Sequence, residues 1–456
     1  MNKYKIESSS FRDKSGFLFY YKNEIYRKIE FSYKNQYEHL MDSKLYKELT
    51  ENDLLIDHEE VNILEIENSY KIIKPKKIPF ISYPYEWSFS ELKDAALLTL
   101  EIQKIAMKYG MTLKDASAYN VQFLNGKPIF IDTLSFEKYE NGQIWKPYKQ
   151  FCQHYLAPLA LMSKKDSRLN LLSKIFIDGI PIDLTAMLLP KTTLGNFGLM
   201  AHIHAHAKSQ GHYEDKDVKI KERTLSKRSF EGIIQSLYSS INKMTWKGGK
   251  TEWGDYYSDT NYTEKSFEEK KNIISSALDQ IKPKIIWDLG ANTGMFSRLA
   301  SSRGINTISF DIDPLAVEKN YQMATKNNDQ NILPLILDLS NPSSSIGWNN
   351  DERMSLVQRG PADLIFALAL IHHLAISNNV PLYKIAEFFS KISKFLIIEF
   401  VPKSDSQVKR LFLSRDDIFD DYDEKNFEIE FSKFFKIINS KKILDSERII
   451  YIMENK

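Results

Sequence analysis

The chain has 456 residues, enough for two or three domains with cores of their own. Its net charge of +2 supplies no global field toward nucleic acid or an acidic membrane. The single cysteine, Cys152, excludes an intramolecular disulfide and a cysteine-built zinc site. The first residues, "MNKYKIESSSFRDKSG", contain no apolar signal core, and "DLIFALALIHHLAI" is too short and interrupted to cross a bilayer. A cytoplasmic protein without a membrane span is expected.

In chain order, residues 17–31 read as two strands around the polar turn "KNE", followed by a helical pattern over 35–50. "SFSELKDAALLTLEIQKIAMKYG" is the clearest helix of the first half. Ser88 and Glu91 form a capping box, Leu92, Ala95, Ala96, Ile102, Ile105 and Ala106 recur at helical spacing, and Gly110 is placed to end it. "VQFLNGKPIFI" reads as a hairpin around Asn125-Gly126. Residues 150–207 look mostly helical, and the charged run after them reads as a linker, placed over 208–252; it ends within the aromatic stretch "WKGGKTEWGDYYSDTNY". From 284 onward short apolar runs alternate with amphipathic helical patterns, which predicts a parallel, doubly wound sheet. The last residues, "FKIINSKKILDSERIIYIMEN", read as two closing strands.

The chemistry of the second half concentrates at strand ends. "IIWDLGANTGMF" is a strand, a turn with Gly290 and Gly294, and a helix start. Its spacing is neither the dinucleotide fingerprint nor a P-loop. The next strand ends in "SFDID" with Asp311, where a carboxylate can take both hydroxyls of a ribose. The third ends in "LILDLS" with Asp338, able to accept from an adenine amino group. Carboxylates at successive strand ends point to a ligand at the carboxyl edge of the sheet.

Taken together these residues resemble a class I S-adenosylmethionine-dependent methyltransferase over residues 253–456, about 45% of the chain. "DLGANTG" is similar to that family's first motif, "FALALIHHLAI" to its fourth-strand motif, "LIIEFVP" to its fifth strand, and the closing pair to its reversed seventh strand. The resemblance implies a Rossmann-like seven-stranded sheet. It also implies cofactor contacts at Asp288, Gly290, Asn292, Gly294, Asp311 and Asp338. Methyl transfer needs alignment above all, and a base only where the nucleophile holds a proton of high pKa. His372 and His373 follow the fourth strand, and one of them is the candidate base, on the ground that histidine titrates near neutrality. Glu399, ending the fifth strand, is expected either to hold an acceptor hydroxyl or amine or to cap the next turn. Trp253, Tyr256, Tyr257 and Tyr262 are candidates for a lid over the cofactor or for plain packing. The "[DN]PP[YF]" clamp of methyltransferases acting on nucleic-acid bases is absent. The expected acceptor is therefore a hydroxyl on a small molecule or a bacterial glycan, with RNA or protein as the alternative.

The first half carries a second resemblance. Asp115-x-x-x-x-Asn120 followed by Asp132 has the spacing of a protein-kinase catalytic and metal loop, which implies an α+β kinase-like domain over 1–207. In that reading Asp115 accepts a hydroxyl proton, Asn120 and Asp132 hold magnesium, and Lys28 with Glu38 as its partner serves ATP. The departures are large. "LKD" and "DTL" replace the usual motifs, and Gly16 is the only glycine in the first hundred residues, so no Gly-rich phosphate cover exists. ATP and magnesium thus belong to the alternative of a bifunctional kinase–methyltransferase acting on a glycan, against a catalytically inactive scaffold that presents the acceptor. "YPYEWSF", "LKDASAYNVQF" and "LALIHHLAISNNVPL" more closely resemble large bacterial methyltransferases of the nodulation type. In "HIHAHA", His202 and His206 share a helix face, as metal ligands or as packing groups.

Overall fold

A computed structural model describes residues 4–63, 66, 68–213, 224–246, 248–249, 263–413 and 415–456. The chain forms two compact units. One comprises Met1–Lys247 together with Ile346–Arg353, the other Gly248–Ser345 with Met354–Lys456.

The first unit begins with a five-stranded antiparallel sheet, order β1-β2-β3-β5-β4, from β1 (Lys5–Ile6), β2 (Gly16–Tyr21), β3 (Glu24–Ile29), β4 (His58–Val61) and β5 (Lys71–Pro75). Lys22 and Asn23 make the β2–β3 turn, both at positive φ. Helices α1 (Lys34–Asp42) and α2 (Leu45–Glu51) separate β3 from β4. Helix α3 (Phe89–Lys108) opens with the expected capping box. The Ser88 side chain takes the Glu91 N–H and the Glu91 carboxylate takes the Ser88 N–H at 2.7 Å. Two short hairpin-like pairs follow, β6 (Met111–Leu113) with β9 (Phe136–Lys138), and β7 (Val121–Leu124) with β8 (Lys127–Phe130) around Asn125-Gly126. Helical segments fill most of the stretch from Tyr148 to Tyr213.

The expected linker over 208–252 contains a structured element. Helix α4 (Lys227–Asn242) packs on α3 and buries Phe230, Ile234, Leu237 and Ile241, whose 4-3-4 spacing makes one apolar face. Positions 214–223 and the lid candidates Trp253, Tyr256, Tyr257 and Tyr262 lie outside the described residues.

In the second unit, α5 (Glu264–Ile281) precedes a seven-stranded sheet. Its strands are β10 (Ile285–Leu289), β11 (Asn306–Asp311), β12 (Ile332–Ile336), β13 (Ala362–Ala367), β14 (Ser393–Phe400), β15 (Phe435–Lys442) and β16 (Ile449–Asn455). Their order is β12-β11-β10-β13-β14-β16-β15. The first five are parallel and β16 runs antiparallel to both neighbours. This is the Rossmann-like seven-stranded arrangement with a reversed strand that the sequence resemblance implied. The parallel strands are buried on both faces, as continuous apolar runs demand. Ile286, Leu364, Phe366 and Ile397 form a core on one face with Ile274, Ala277 and Leu278 of α5, while Trp287 meets Phe310 on the other. The chain order reverses between β10 and β13, so their carboxyl ends mark the crevice where such sheets take ligands. Among the described residues, no helix is long and apolar enough to cross a membrane.

Candidate functional site

A cleft of about 360 Å³ opens at the carboxyl edge of the seven-stranded sheet. Asp288, Gly290, Asn292, Asp311, Asp338 and His373 all line it; Gly294 stands just behind, at the start of the helix after the turn. The turn between β10 and that helix explains the residue types. Gly290 and Gly294 sit at φ +75° and +77°, in the left-handed region that glycine enters freely. A Cβ on Gly294 would lie 2.5 Å from the Asn320 side chain. Asn292 also takes positive φ, a conformation asparagine tolerates better than most residues. Its N–H donates to Asp311 at 2.7 Å, tying the first turn to the second strand end.

The three carboxylates differ in setting. Asp288 is fully buried and accepts from the Ser297 hydroxyl at 2.6 Å; burial pushes its pKa up to about 7. Asp311 is also buried. It accepts the N–H groups of Asn292 and Asp313, at 2.7 and 2.9 Å, and desolvation outweighs these bonds to raise its pKa to about 6. Asp338 is half-exposed and holds the N–H and hydroxyl of Ser340 at 2.8 and 2.6 Å. Each carboxylate oxygen of Asp311 accepts one backbone N–H and retains lone-pair capacity for a hydroxyl donor. This pair of acceptor oxygens suits a vicinal diol.

Two catalytic expectations change. Glu399 is fully buried and does not line the cleft. Its oxygens meet Lys270 Nζ at 2.6 Å and Arg448 Nη1 at 3.5 Å, so the carboxylate is engaged with two cations and is not presented to an acceptor in the cleft. His372 is buried behind the wall of the cleft, and only His373 reaches it. Burial, with Arg448 nearby, holds the His373 pKa down at about 4 and that of His372 well below its ordinary range. Burial at this position thus works against a base titrating near neutrality. His373 is a neutral acceptor at physiological pH, able to orient a hydroxyl but a poor proton sink.

In the first unit, Asp115, Asn120 and Asp132 come together. The Asp115 carboxylate accepts the Ser117 N–H at 2.8 Å and side-chain bonds from Asn120 and Gln150; its pKa is raised by burial and by Asp132. Asp132, however, is already occupied. It pairs with the Arg27 guanidinium and accepts the Ser135 hydroxyl, and Asn120 Nδ2 donates to the same Ser135 at 3.3 Å. The neighbouring residue of β3, Lys28, points to the opposite face and pairs with Glu30 at 3.0 Å. Glu38, its expected partner, instead accepts the Tyr70 hydroxyl at 2.9 Å. The assignment of Lys28 as an ATP lysine is therefore corrected: Arg27, not Lys28, enters the loop. Among the described residues no group of three or more His, Cys, Asp or Glu side chains is placed to hold a metal. Magnesium held by Asn120 and Asp132 does not fit, because Arg27 supplies the positive charge that Asp132 needs.

The "HIHAHA" histidines are packing groups. His202 joins the Tyr148 hydroxyl at 2.8 Å and the Ser236 hydroxyl at 2.9 Å, His204 joins Thr193 at 2.9 Å, and His206 lies against the Tyr148 ring. Two groups escaped the sequence reading, Lys270 and Arg27. Both are single cations without a motif, and only the fold brings them to their carboxylates.

No family model matches the sequence. Among solved structures, the chain is similar to magnesium protoporphyrin IX methyltransferase (ChlM) from Synechocystis PCC 6803 with bound SAH. Identity is 15% and the TM-score 0.31, covering 45% of this chain and 93% of that one. It is also similar to the bifunctional kinase-methyltransferase WbdD, at 17% identity and a TM-score of 0.28, covering 42% of this chain and 38% of that one. The curated nodulation protein NoeA of Rhizobium meliloti (strain 1021) is 35% identical over 458 aligned residues, 98% of this chain and 95% of its relative. With identity at that level over nearly the full length of both proteins, the chain belongs to the family of nodulation protein NoeA.

Proposed function

We propose that the chain is an S-adenosylmethionine-dependent methyltransferase that methylates a hydroxyl of a small molecule or a glycan. The observation that carries the reading is one cleft in which Asp288, Asp311 and Asp338, from three successive parallel strands, converge around the Gly290–Gly294 turn. The reversed strand β16 and the sheet order support the same reading. Bound there, the cofactor supplies an electron-poor methyl carbon for displacement by a nucleophile.

The chain's own residues then have separable tasks. Asp311 takes the ribose hydroxyls, and Asp338 accepts at the base end. Gly290 keeps the turn free of a side chain: a Cβ there would come within 3.2 Å of Leu370. Leu368, Leu370 and Leu374 line the cleft on the β13 side and exclude water. His373 accepts from the incoming hydroxyl and orients it. The hydroxyl acceptor class is supported by the missing base clamp and by the polar pair Ser377 and Asn378 beside His373 at the cleft. In this reading the first unit is an accessory to acceptor recognition and not a phosphotransferase, because Arg27 fills the cation position of its loop.

Isothermal titration of the full chain with S-adenosylmethionine and S-adenosylhomocysteine tests the assignment. Micromolar binding of either, lost in Asp311→Ala, is the expected result; absence of heat with both would sink it.

A further inference from the structure

The cleft wall contains three carboxylates and, among the described residues, one ammonium, that of Lys270. A lysine at 2% exposure is costly to bury and stays charged only with a fixed counter-ion. Glu399 provides it at 2.6 Å, and the ring of Phe296 lies 4.7 Å from the ammonium. Glu399 is held in turn by Arg448, which binds Asp405 at 2.7 and 3.1 Å. Lys270, Glu399, Arg448 and Asp405 thus form an alternating row of two cations and two anions, each nearly or fully buried.

The row has a direction relative to the ligand edge. Asp338 follows β12, Asp311 ends β11, Asp288 belongs to β10, and Glu399 belongs to β14 beyond β13. Neighbouring strands lie about 4.8 Å apart, so Lys270 stands on the far side of Asp288 from the two residues assigned to ribose and base. An acid and an ammonium side by side match the two ends of an α-amino acid. We infer that Lys270 is the residue that binds the carboxylate of the cofactor's amino-acid end, and that Glu399 and Arg448 are positioning residues which hold its ammonium there. This rests on the methyltransferase reading and extends it. An ammonium has three N–H donors and can serve Glu399 and a ligand carboxylate together. Glu399, for which the sequence offered an acceptor contact or a turn cap, then stands one step behind the cofactor.

Two nucleosides separate the possibilities in calorimetry on the full chain. S-adenosylhomocysteine carries the amino-acid end, and 5′-methylthioadenosine lacks it. Wild-type protein is expected to prefer the first. Lys270→Met should weaken it by about ten- to a hundredfold, the loss of one charged hydrogen bond, and leave the second within about threefold. Lys270→Arg, which keeps the charge, should restore a large part of the preference. Because Lys270→Met strands Glu399, the double variant Lys270→Met with Glu399→Gln removes both charges and provides a folded comparison. A preference that survives in the double variant, or equal weakening of both nucleosides, would overturn the assignment. Wild-type binding of both nucleosides with equal strength would overturn it while leaving the methyltransferase reading intact. Binding of neither would overturn both.

Discussion

Two trios of polar side chains, one in each unit, meet opposite fates. Asp288, Asp311 and Asp338 line a cleft, two of them with pKa values raised into the range of 6 to 7. Asp115, Asn120 and Asp132 also converge, but their polar capacity is spent inside the protein, on Ser117, Gln150, Ser135 and Arg27. The residue types and spacings of both trios suggest ligand chemistry. What separates them is the neighbour each carboxylate finds. In the sheet the hydrogen-bonding neighbours are backbone N–H groups and serine hydroxyls, which leave lone pairs for a ligand; in the loop Asp132 is paired directly with a guanidinium.

The sharpest way to break this contrast is to remove the guanidinium. Arg27→Gln leaves Asp132 unpaired at a largely buried position and should cost about 3 kcal/mol in denaturant unfolding of the first unit. Combining it with Asp132→Asn should cost clearly less than the two single changes summed, since one interaction is lost in both. Additive costs, or a magnesium-ATP-dependent rise in the melting temperature of the wild type, would show the loop to be open after all. Next in size, Asp311→Ala should weaken nucleoside binding by on the order of a hundredfold, from hydrogen bonds to a charged group worth about 1.5–3 kcal/mol each. Unchanged affinity would place the ligand elsewhere.

The raised carboxylate of Asp311 gives a titration of defined sign. Hydroxyl donors favour its ionised form, so binding should release a proton below about pH 6. Affinity should rise about tenfold from pH 5 to pH 7 and flatten above. Calorimetry at pH 6 in two buffers of different ionisation enthalpy reads the released proton directly; proton uptake would contradict it. The smallest expected effect is that of Gly294→Ala, about 1–2 kcal/mol of stability for an alanine forced to positive φ, with the added contact to Asn320. A melting temperature equal to wild type would mean that the turn relaxes and that its geometry is not fixed by glycine.

The sheet was legible because its signals are local. A buried parallel strand is a continuous apolar run, a tight turn needs glycine or asparagine, and Asp311 and Asp338 follow directly from where each run stops. The capping box of α3 and the Asn125-Gly126 hairpin are of the same kind. The misread positions depend on distant partners. Lys28 and Arg27 are adjacent on one strand, and only the packing of β3 decides which of them turns toward Asp132. Glu399 carries no local sign that Lys270, 129 residues earlier, and Arg448, 49 residues later, enclose it. The histidines invited a generic pKa, and burial displaced it. Helix α4 was hidden by the charged run before it, although Phe230, Ile234, Leu237 and Ile241 already stood at helical intervals.

The segment Ile346–Arg353 is counted with the first unit while the residues on either side of it belong to the second. Within the first unit Glu352 receives Arg12 through two bonds of 2.6 and 2.9 Å, and Arg353 covers the Tyr119 ring at 4.1 Å, one residue from Asn120. A scissile point chosen at the obvious border near residue 247 would therefore strand part of each half: the leading fragment would lose eight of its own residues, and the trailing fragment would carry them as a surplus loop. Whoever dissects this polypeptide should keep it whole, or graft those eight residues back.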